Sequence, residues 1–491
     1  MKRFILGVLA SILALTALAG IAQRMTGERE TRVEANRVVN RAGLIDANNS
    51  PSLARDPGEP RRLVMTHRVD RPRFSAGLRW SGDDGRTWKS TALPLPRGLD
   101  RPFAPDAAFA PDGTLYVTYV NLTGTGNVPD NLWLAKSADG GRTLSAPVRI
   151  AGRLAFQARL AVDERGSVHV IWLQAREVGL LALAGPPSPI VAARSDDGGR
   201  SFSRPQRVSD PARELVGAAS PVIDSDGQLV VLYEDFKRDR RDFQNLEGPP
   251  WDQPFGLVVT RPTDSGPFAQ GVELEKGVLP TRRFLVFLPE FPSLAAGPGD
   301  TLYVAWSDGR NGDEDVFVRR SDDDGRTWSP AKRVNDNPKG DGTSQYVPRV
   351  DVSPDGRVDV LYLDRRRDRD DVMTDATLAS SDDDGASFEN VRLSSRSFDS
   401  RVGASAAQRL PVDFGSRLAL ASGSERSLAA WADSRLGSDV TGRQDIFSAG
   451  YETAPPPVLA RLPLIGVLIA LALILGALAV KQRRNLRSSP N

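Results

Sequence analysis

One short stretch recurs at a fixed interval, and nothing else in the chain constrains its fold as tightly. Ser321-Asp322-Asp323-Asp324-Gly325-Arg326-Thr327-Trp328 has the pattern Ser-x-Asp-x-Gly-x-Thr-Trp. Ser81, Asp83, Gly85, Thr87 and Trp88 repeat it in full, and Ser137, Asp139, Gly141 and Thr143 repeat it with Leu144 at the aromatic position. Ser195, Asp197, Gly199, Ser201 and Phe202 form another copy, and Ser381, Asp383, Gly385, Ser387 and Phe388 a fifth. Each follows a short apolar run such as Val316-Phe317-Val318, so each reads as the turn of a β-hairpin. The aspartate can accept hydrogen bonds from N–H groups of its own turn, the glycine supplies a positive φ, and the terminal aromatic packs inward.

Asp83 to Asp139 is 56 residues, Asp139 to Asp197 is 58, and Asp323 to Asp383 is 60. Asp197 to Asp323 is 126, about twice that period, which calls for a degenerate copy between them at Pro262-Thr263-Asp264-Ser265-Gly266. Every unit has four parts: a small-residue strand ending in a turn, an alternating strand, a strand leading into the Asp turn, and a strand leaving it. The second strand closes on an aromatic at Tyr119, Trp172, Tyr233, Trp306, Tyr362 and Trp431, with His67 in the first unit. Four antiparallel strands per period describe a blade of a β-propeller, an all-β fold. Seven units are counted, with six as the alternative if the first or last is irregular. The seventh runs into Pro455-Pro456-Pro457 without a fourth strand, and the segment Arg32 to Asn40 is expected to supply it and close the ring.

The turns resemble the Asp-boxes, or bacterial neuraminidase repeats, of the sialidase superfamily, and the resemblance covers residues 51 to about 450. It implies that Asp83, Asp139, Asp197, Asp323 and Asp383 are structural and lie on the face opposite the working one. Enzymes of that family are retaining glycosidases with an arginine triad for the substrate carboxylate, a Tyr nucleophile assisted by Glu, and an Asp acid/base. Their Arg-Ile-Pro motif at the start of the first blade is absent here, where the strand reads Ser50-Pro51-Ser52-Leu53-Ala54-Arg55; Arg409-Leu410-Pro411 resembles it in another blade. Tyr346 and Glu290, on connections of the opposite face, are the candidates for a nucleophile and its helper.

That face carries other unusual sequence. Three units in succession read Trp306-Ser307-Asp308-Gly309-Arg310, Tyr362-Leu363-Asp364-Arg365-Arg366 and Trp431-Ala432-Asp433-Ser434-Arg435. Asp308, Arg310, Asp364, Arg366, Asp433 and Arg435 either form a ligand-binding ring at the channel mouth, where Arg suits a sugar-acid carboxylate, or pair to bridge adjacent blades. Two insertions, Leu173 to Pro189 and Asp235 to Pro254, and the apolar Phe284 to Glu290 fall on the same face, as a partner surface or membrane contact, or as a lid packed on itself. Asn335-Asp336-Asn337 with Asp341 offers oxygen ligands of the kind calcium takes but lacks the spacing of a defined calcium loop, so a solvated turn is preferred and no metal or cofactor is assigned.

Composition narrows the function classes. With no cysteine and only His67 and His169, thiol nucleophiles, disulfides and multi-histidine zinc sites are excluded. A formal net charge of +2 over 491 residues gives no reason to expect a nucleic-acid partner. Met1-Lys2-Arg3 precedes an apolar stretch that makes residues 1–22 a secretory signal peptide, or alternatively an uncleaved anchor. Residues 462–480 form an uncharged run long enough to span a bilayer, and the basic tail 481–491 assigns its far side to the cytoplasm. The expected layout is therefore an N-terminal segment 23–50, a propeller 51–452 outside the cell, a linker 453–461 and one membrane helix. The expected function is recognition of a glycan or protein at the cell surface, the alternatives being an exo-sialidase-type hydrolase and an envelope-assembly scaffold.

Overall fold

Short strands broken by Asp-Gly turns can bury an apolar face only against their neighbours in sequence. The computed structural model, described over residues 31–40, 43–124, 127–176, 188–237, 254–263, 266–279, 290–403 and 414–453, arranges them as seven antiparallel sheets. Val33–Tyr451 is one compact unit, and the second, Met1–Arg32 with Glu452–Asn491, lies almost wholly outside the described residues. Blade one contains Ala47–Arg55, Leu63–Arg71, Ser75–Ser81 and Lys89–Thr91 in spatial order. The same meander recurs in blades two (102–151), three (155–207), four (216–278), five (293–333) and six (345–392). The degenerate turn of blade four falls between Phe255–Thr260 and Val272–Val278, where the period put it.

Blade seven draws Ala419–Ala421, Arg426–Asp433 and Asp445–Thr453 from one end of the chain and Thr31–Val33 and Arg37–Val38 from the other. Arg37 pairs with Ser448 and Val38 with Phe447. The Glu34 and Val39 amides donate to the Gly450 and Ile446 carbonyls, both at 2.8 Å. The N-terminal segment thus closes the ring, and seven rather than six blades complete it. The membrane helix anticipated at 462–480 lies outside the described residues, among which no helix is long and apolar enough to cross a bilayer.

The closing aromatics of the second strands are among the largest side chains of the interior: Tyr119, Trp172, Tyr233, Tyr362 and Trp431 are fully buried. Removing about 200 Å² of each ring from water contributes on the order of 5 kcal/mol before chain entropy is counted. In blade one the same place holds His67, buried opposite Gly77, where a Cβ would stand 2.2 Å from its Nε2. Burial pushes this imidazole down to about 4, so it is neutral at physiological pH.

The five Asp turns are built alike. In Ser321–Trp328 the serine hydroxyl donates to Asp323 at 2.8 Å and accepts the Gly325 amide at 2.7 Å, while Asp323 accepts the Thr327 amide at 2.8 Å and hydroxyl at 2.6 Å. The Thr327 hydroxyl and amide hold the Asp323 carboxyl down to about 2. Glycine is required at the turn for a second reason: at Gly199 (φ 71–78° across Gly198 and Gly199) a Cβ would lie 2.5 Å from Leu134 of the preceding blade. Each turn is a local brace whose carboxylate is taken up by hydroxyls and a backbone amide of the same turn.

Candidate functional site

The first strand of every blade faces the axis, and in five blades it carries a β-bulge around a residue with positive φ: Ser50 (50°), Ala104 (48°), Gln157 (55°), Ala218 (55°) and Val347 (52°). Such a conformation is unfavourable for a non-glycine residue, most of all for a β-branched one, and it re-aims the side chains that follow. The surrounding structure holds it. The Ala218 amide donates to Gln157 Oε1 at 2.7 Å, and the Val347 amide donates to Glu290 Oε1 at 2.7 Å.

The residue after each bulge pairs with the one before the closing aromatic. These residues are Ser52, Asp106, Arg159, Ser220 and Arg349, and Ser293 and Ala419 hold the same register in blades five and seven. All seven line an axial cavity of about 460 Å³, forming its waist with one residue per blade. At the end where the inner strands begin, a second cavity of about 230 Å³ is lined by Arg68, Arg159, Arg417, Gln157, Phe74, Phe103, Phe156 and Phe291. The Asp turns lie at the other ends of the strands, bonded to first-to-second turns through the Asp84 amide to the Arg61 carbonyl (2.8 Å) and Asp324 to Asp300 (3.1 Å). The mouth is therefore opposite the corners, as strand parity required.

The three mouth arginines differ in what neutralises them. Arg68 is paired with Asp70, Nε at 3.2 Å and Nη2 at 2.7 Å, and donates to the Ser416 hydroxyl at 3.2 Å. Arg159 is 8% exposed, with its guanidinium 3.9 Å from the centre of the Phe291 ring, and makes no hydrogen bond or ion pair with a described residue. Arg417 donates to the Pro105 carbonyl at 2.5 Å, while its buried Nε has no partner among the described residues. Burial, opposed by Asp106 and reinforced by Arg68, pulls Arg417 down to about 10. Asp106 is committed elsewhere, accepting the Ser52 hydroxyl at 2.6 Å and the Leu160 amide at 3.2 Å. Buried cations are ordinarily paired, because desolvation is costly. Two guanidinium groups without a carboxylate among the described residues, beside phenylalanine walls, give the pocket chemistry suited to an anion with an apolar face.

The residues singled out from sequence are placed otherwise. Asp308 accepts Trp306 Nε1 at 3.4 Å and Arg310 Nε at 2.8 Å, and Arg310 reaches Glu275, on the outermost strand of blade four, at 3.3 Å. Asp433 accepts Trp431 Nε1 at 3.0 Å and Arg435 Nε at 2.9 Å, and Arg435 reaches Ser395 at 2.9 Å and Asn36 at 3.0 Å. Arg366 pairs with Asp364 at 2.6 Å, with the Tyr362 hydroxyl at 2.8 Å, and with Asp336. None of the six lines either cavity. Each Asp–Arg pair ties a loop to the preceding blade rather than ringing the mouth, because the Asp is held by its own strand's aromatic or by the Arg two residues on. Blade four builds the same brace from Asp235 and Lys237, 3.0 Å apart.

Tyr346 and Glu290 also serve the fold. The Tyr346 hydroxyl, buried in the core between blades, lies 3.2 Å from both Thr374 Oγ1 and Arg365 Nη2. Glu290 takes the Ser307 hydroxyl at 2.6 Å in addition to the Val347 amide. Around Asn335 the amide nitrogen donates to Asp315, Asn337 and Gln345 at 2.6–2.7 Å, so a donor occupies the position a cation would need. Among the described residues no group of three or more His, Asp or Glu could hold a metal. Arg409–Pro411 and most of both insertions lie outside the described residues.

No protein-family model matches the sequence, and no curated protein does. Among solved structures, the fold is similar to a protein of unknown function from Dyadobacter fermentans (14% identity, TM-score 0.46, 86% of this chain and 99% of that one). It is also similar to an α-L-arabinanase from Penicillium chrysogenum complexed with arabinobiose (15%, 0.42, 72% and 95%) and to the Hadza microbial sialidase Hz136 (19%, 0.43, 64% and 63%).

Proposed function

We propose that the propeller binds a carboxylate-bearing sugar in the mouth pocket, as a surface receptor for acidic glycans. One observation carries this reading: Arg159 and Arg417 are recessed guanidinium groups without a carboxylate partner among the described residues, and both face the cavity. A sugar acid answers both features of the pocket. Its carboxylate takes charge-assisted hydrogen bonds from the arginines, and its C–H face packs on Phe74, Phe103 and Phe156. Binding rather than hydrolysis is favoured because the Tyr346 hydroxyl and Glu290 carboxylate are occupied by Thr374, Arg365, Ser307 and Val347. In this reading residues 462–480 anchor the chain in the membrane and the propeller stands outside the cell.

Calorimetric titration of the full-length chain with glucuronate, N-acetylneuraminate and glucose tests the proposal. Saturable binding of an acidic sugar, no binding of glucose and a loss of at least tenfold in Arg417→Ala are expected. Equal affinity for glucuronate and glucose would overturn it.

A further inference from the structure

The channel waist carries charge for which the mouth does not account. Arg349 of blade six lines the axial cavity, and no hydrogen bond or ion pair joins its side chain to a described residue. Arg159 of blade three stands three blades away in a ring of seven, so the two face each other across the axis. Between them Ser220 accepts the Leu294 amide at 3.4 Å and leaves its own hydroxyl proton uncommitted. The carboxylates nearby are hydrogen-bonded elsewhere: Asp106 to Ser52 and Leu160, and Asp351, which Arg349 favours electrostatically without a hydrogen bond, to the Ser422 amide at 2.7 Å. The rest of the waist is Ser52, Ser293 and Ala419, small side chains that leave the axis open.

We propose that this waist is a second anion site, in which Arg349, Arg159 and the Ser220 hydroxyl hold one small oxyanion. It shares Arg159 with the mouth but draws Arg349 and Ser220 from the waist alone, and those two residues are the ones that separate its test from that of the glycan reading. The pockets meet at Arg159 and Arg417, so the oxyanion is either free in solution or a second anionic group on a ligand seated above. Guanidinium groups without a hydrogen-bonded carboxylate among the described residues, lining one cavity with a hydroxyl donor, suit tetrahedral or planar oxyanions, which take charge-assisted hydrogen bonds.

Calorimetric titration of the full-length chain with sodium sulfate at constant ionic strength, then with glucuronate, and with a uronate disaccharide in sulfated and unsulfated forms, tests it. Saturable sulfate binding that persists in the presence of saturating glucuronate, weakened at least tenfold in Arg349→Ala and severalfold in the milder Ser220→Ala, is expected if the anion is free. If sulfate alone does not bind, the sulfated disaccharide should bind about tenfold tighter than the unsulfated one, and Arg349→Ala should erase that difference. Glucuronate affinity should be unchanged in both variants, which also reports that they fold. Sulfate and disaccharide binding that are both indifferent to Arg349 and Ser220 would overturn the proposal. Failure of glucuronate alone would sink the mouth reading and leave this one standing.

Discussion

At Asp323, three hydrogen bonds to one exposed carboxylate show how the repeat stabilises the molecule. The group is held down to about 2 by the Thr327 hydroxyl and amide, against about 3.9 in an unfolded chain. A depressed carboxylate stabilises the folded state fully above the unfolded value and loses that contribution as the pH falls through the folded one. Asp323→Asn should therefore narrow its stability gap to the parent between about pH 4 and pH 2 in urea titrations; a constant gap would contradict the assignment. At neutral pH Asp323→Ala should cost about 1–3 kcal/mol, the range for losing hydrogen bonds to a charged group. Solvent screening at this exposed corner places the effect toward the lower end.

Between elements, burial changes the outcome. Arg357 is fully buried at the junction of blades six and seven, with Nε and Nη2 each 2.9 Å from Asp359 and Nη2 2.8 Å from Ser427. Asp359→Ala would leave that guanidinium uncompensated and should cost about 3–5 kcal/mol, measured as a shift in the denaturant midpoint. The double variant Arg357→Met/Asp359→Leu should recover most of that loss. The Asp–Arg pairs of the loops follow the same logic, and they show where sequence reasoning stops. Repetition made Asp308–Arg310, Asp364–Arg366 and Asp433–Arg435 conspicuous, and repetition is the signature of a part every blade needs. The mouth residues instead break the repeat. Aligned on the closing aromatic, the waist register reads Ser, Asp, Arg, Ser, Ser, Arg and Ala, so Asp106, Arg159 and Arg349 are departures that the alignment could have exposed. Arg68 and Arg417 carried no such signal, because their convergence depends on bulge geometry and on blade-to-blade distance.

Over the whole ring, closure by the N-terminal segment was legible because blade seven lacked an outer strand and Arg32–Asn40 had strand character. The placement of the axial mouth opposite the corners followed from strand parity alone. Deleting residues 31–40 should expose the edge of Asp445–Thr453 and give a less stable, aggregating chain by light scattering; unchanged solubility would argue against closure by that segment. On the proposed reading Arg159, without a carboxylate partner among the described residues, stands at the axis for a ligand rather than for the fold. The most direct measurement is thermal unfolding of the full-length chain and of Arg159→Met, each with and without glucuronate. Removing a buried unpaired cation should stabilise the ligand-free protein, by about 1–3 kcal/mol, while abolishing the shift that glucuronate gives the parent. A variant that is less stable than the parent and still shifts with glucuronate would contradict the account.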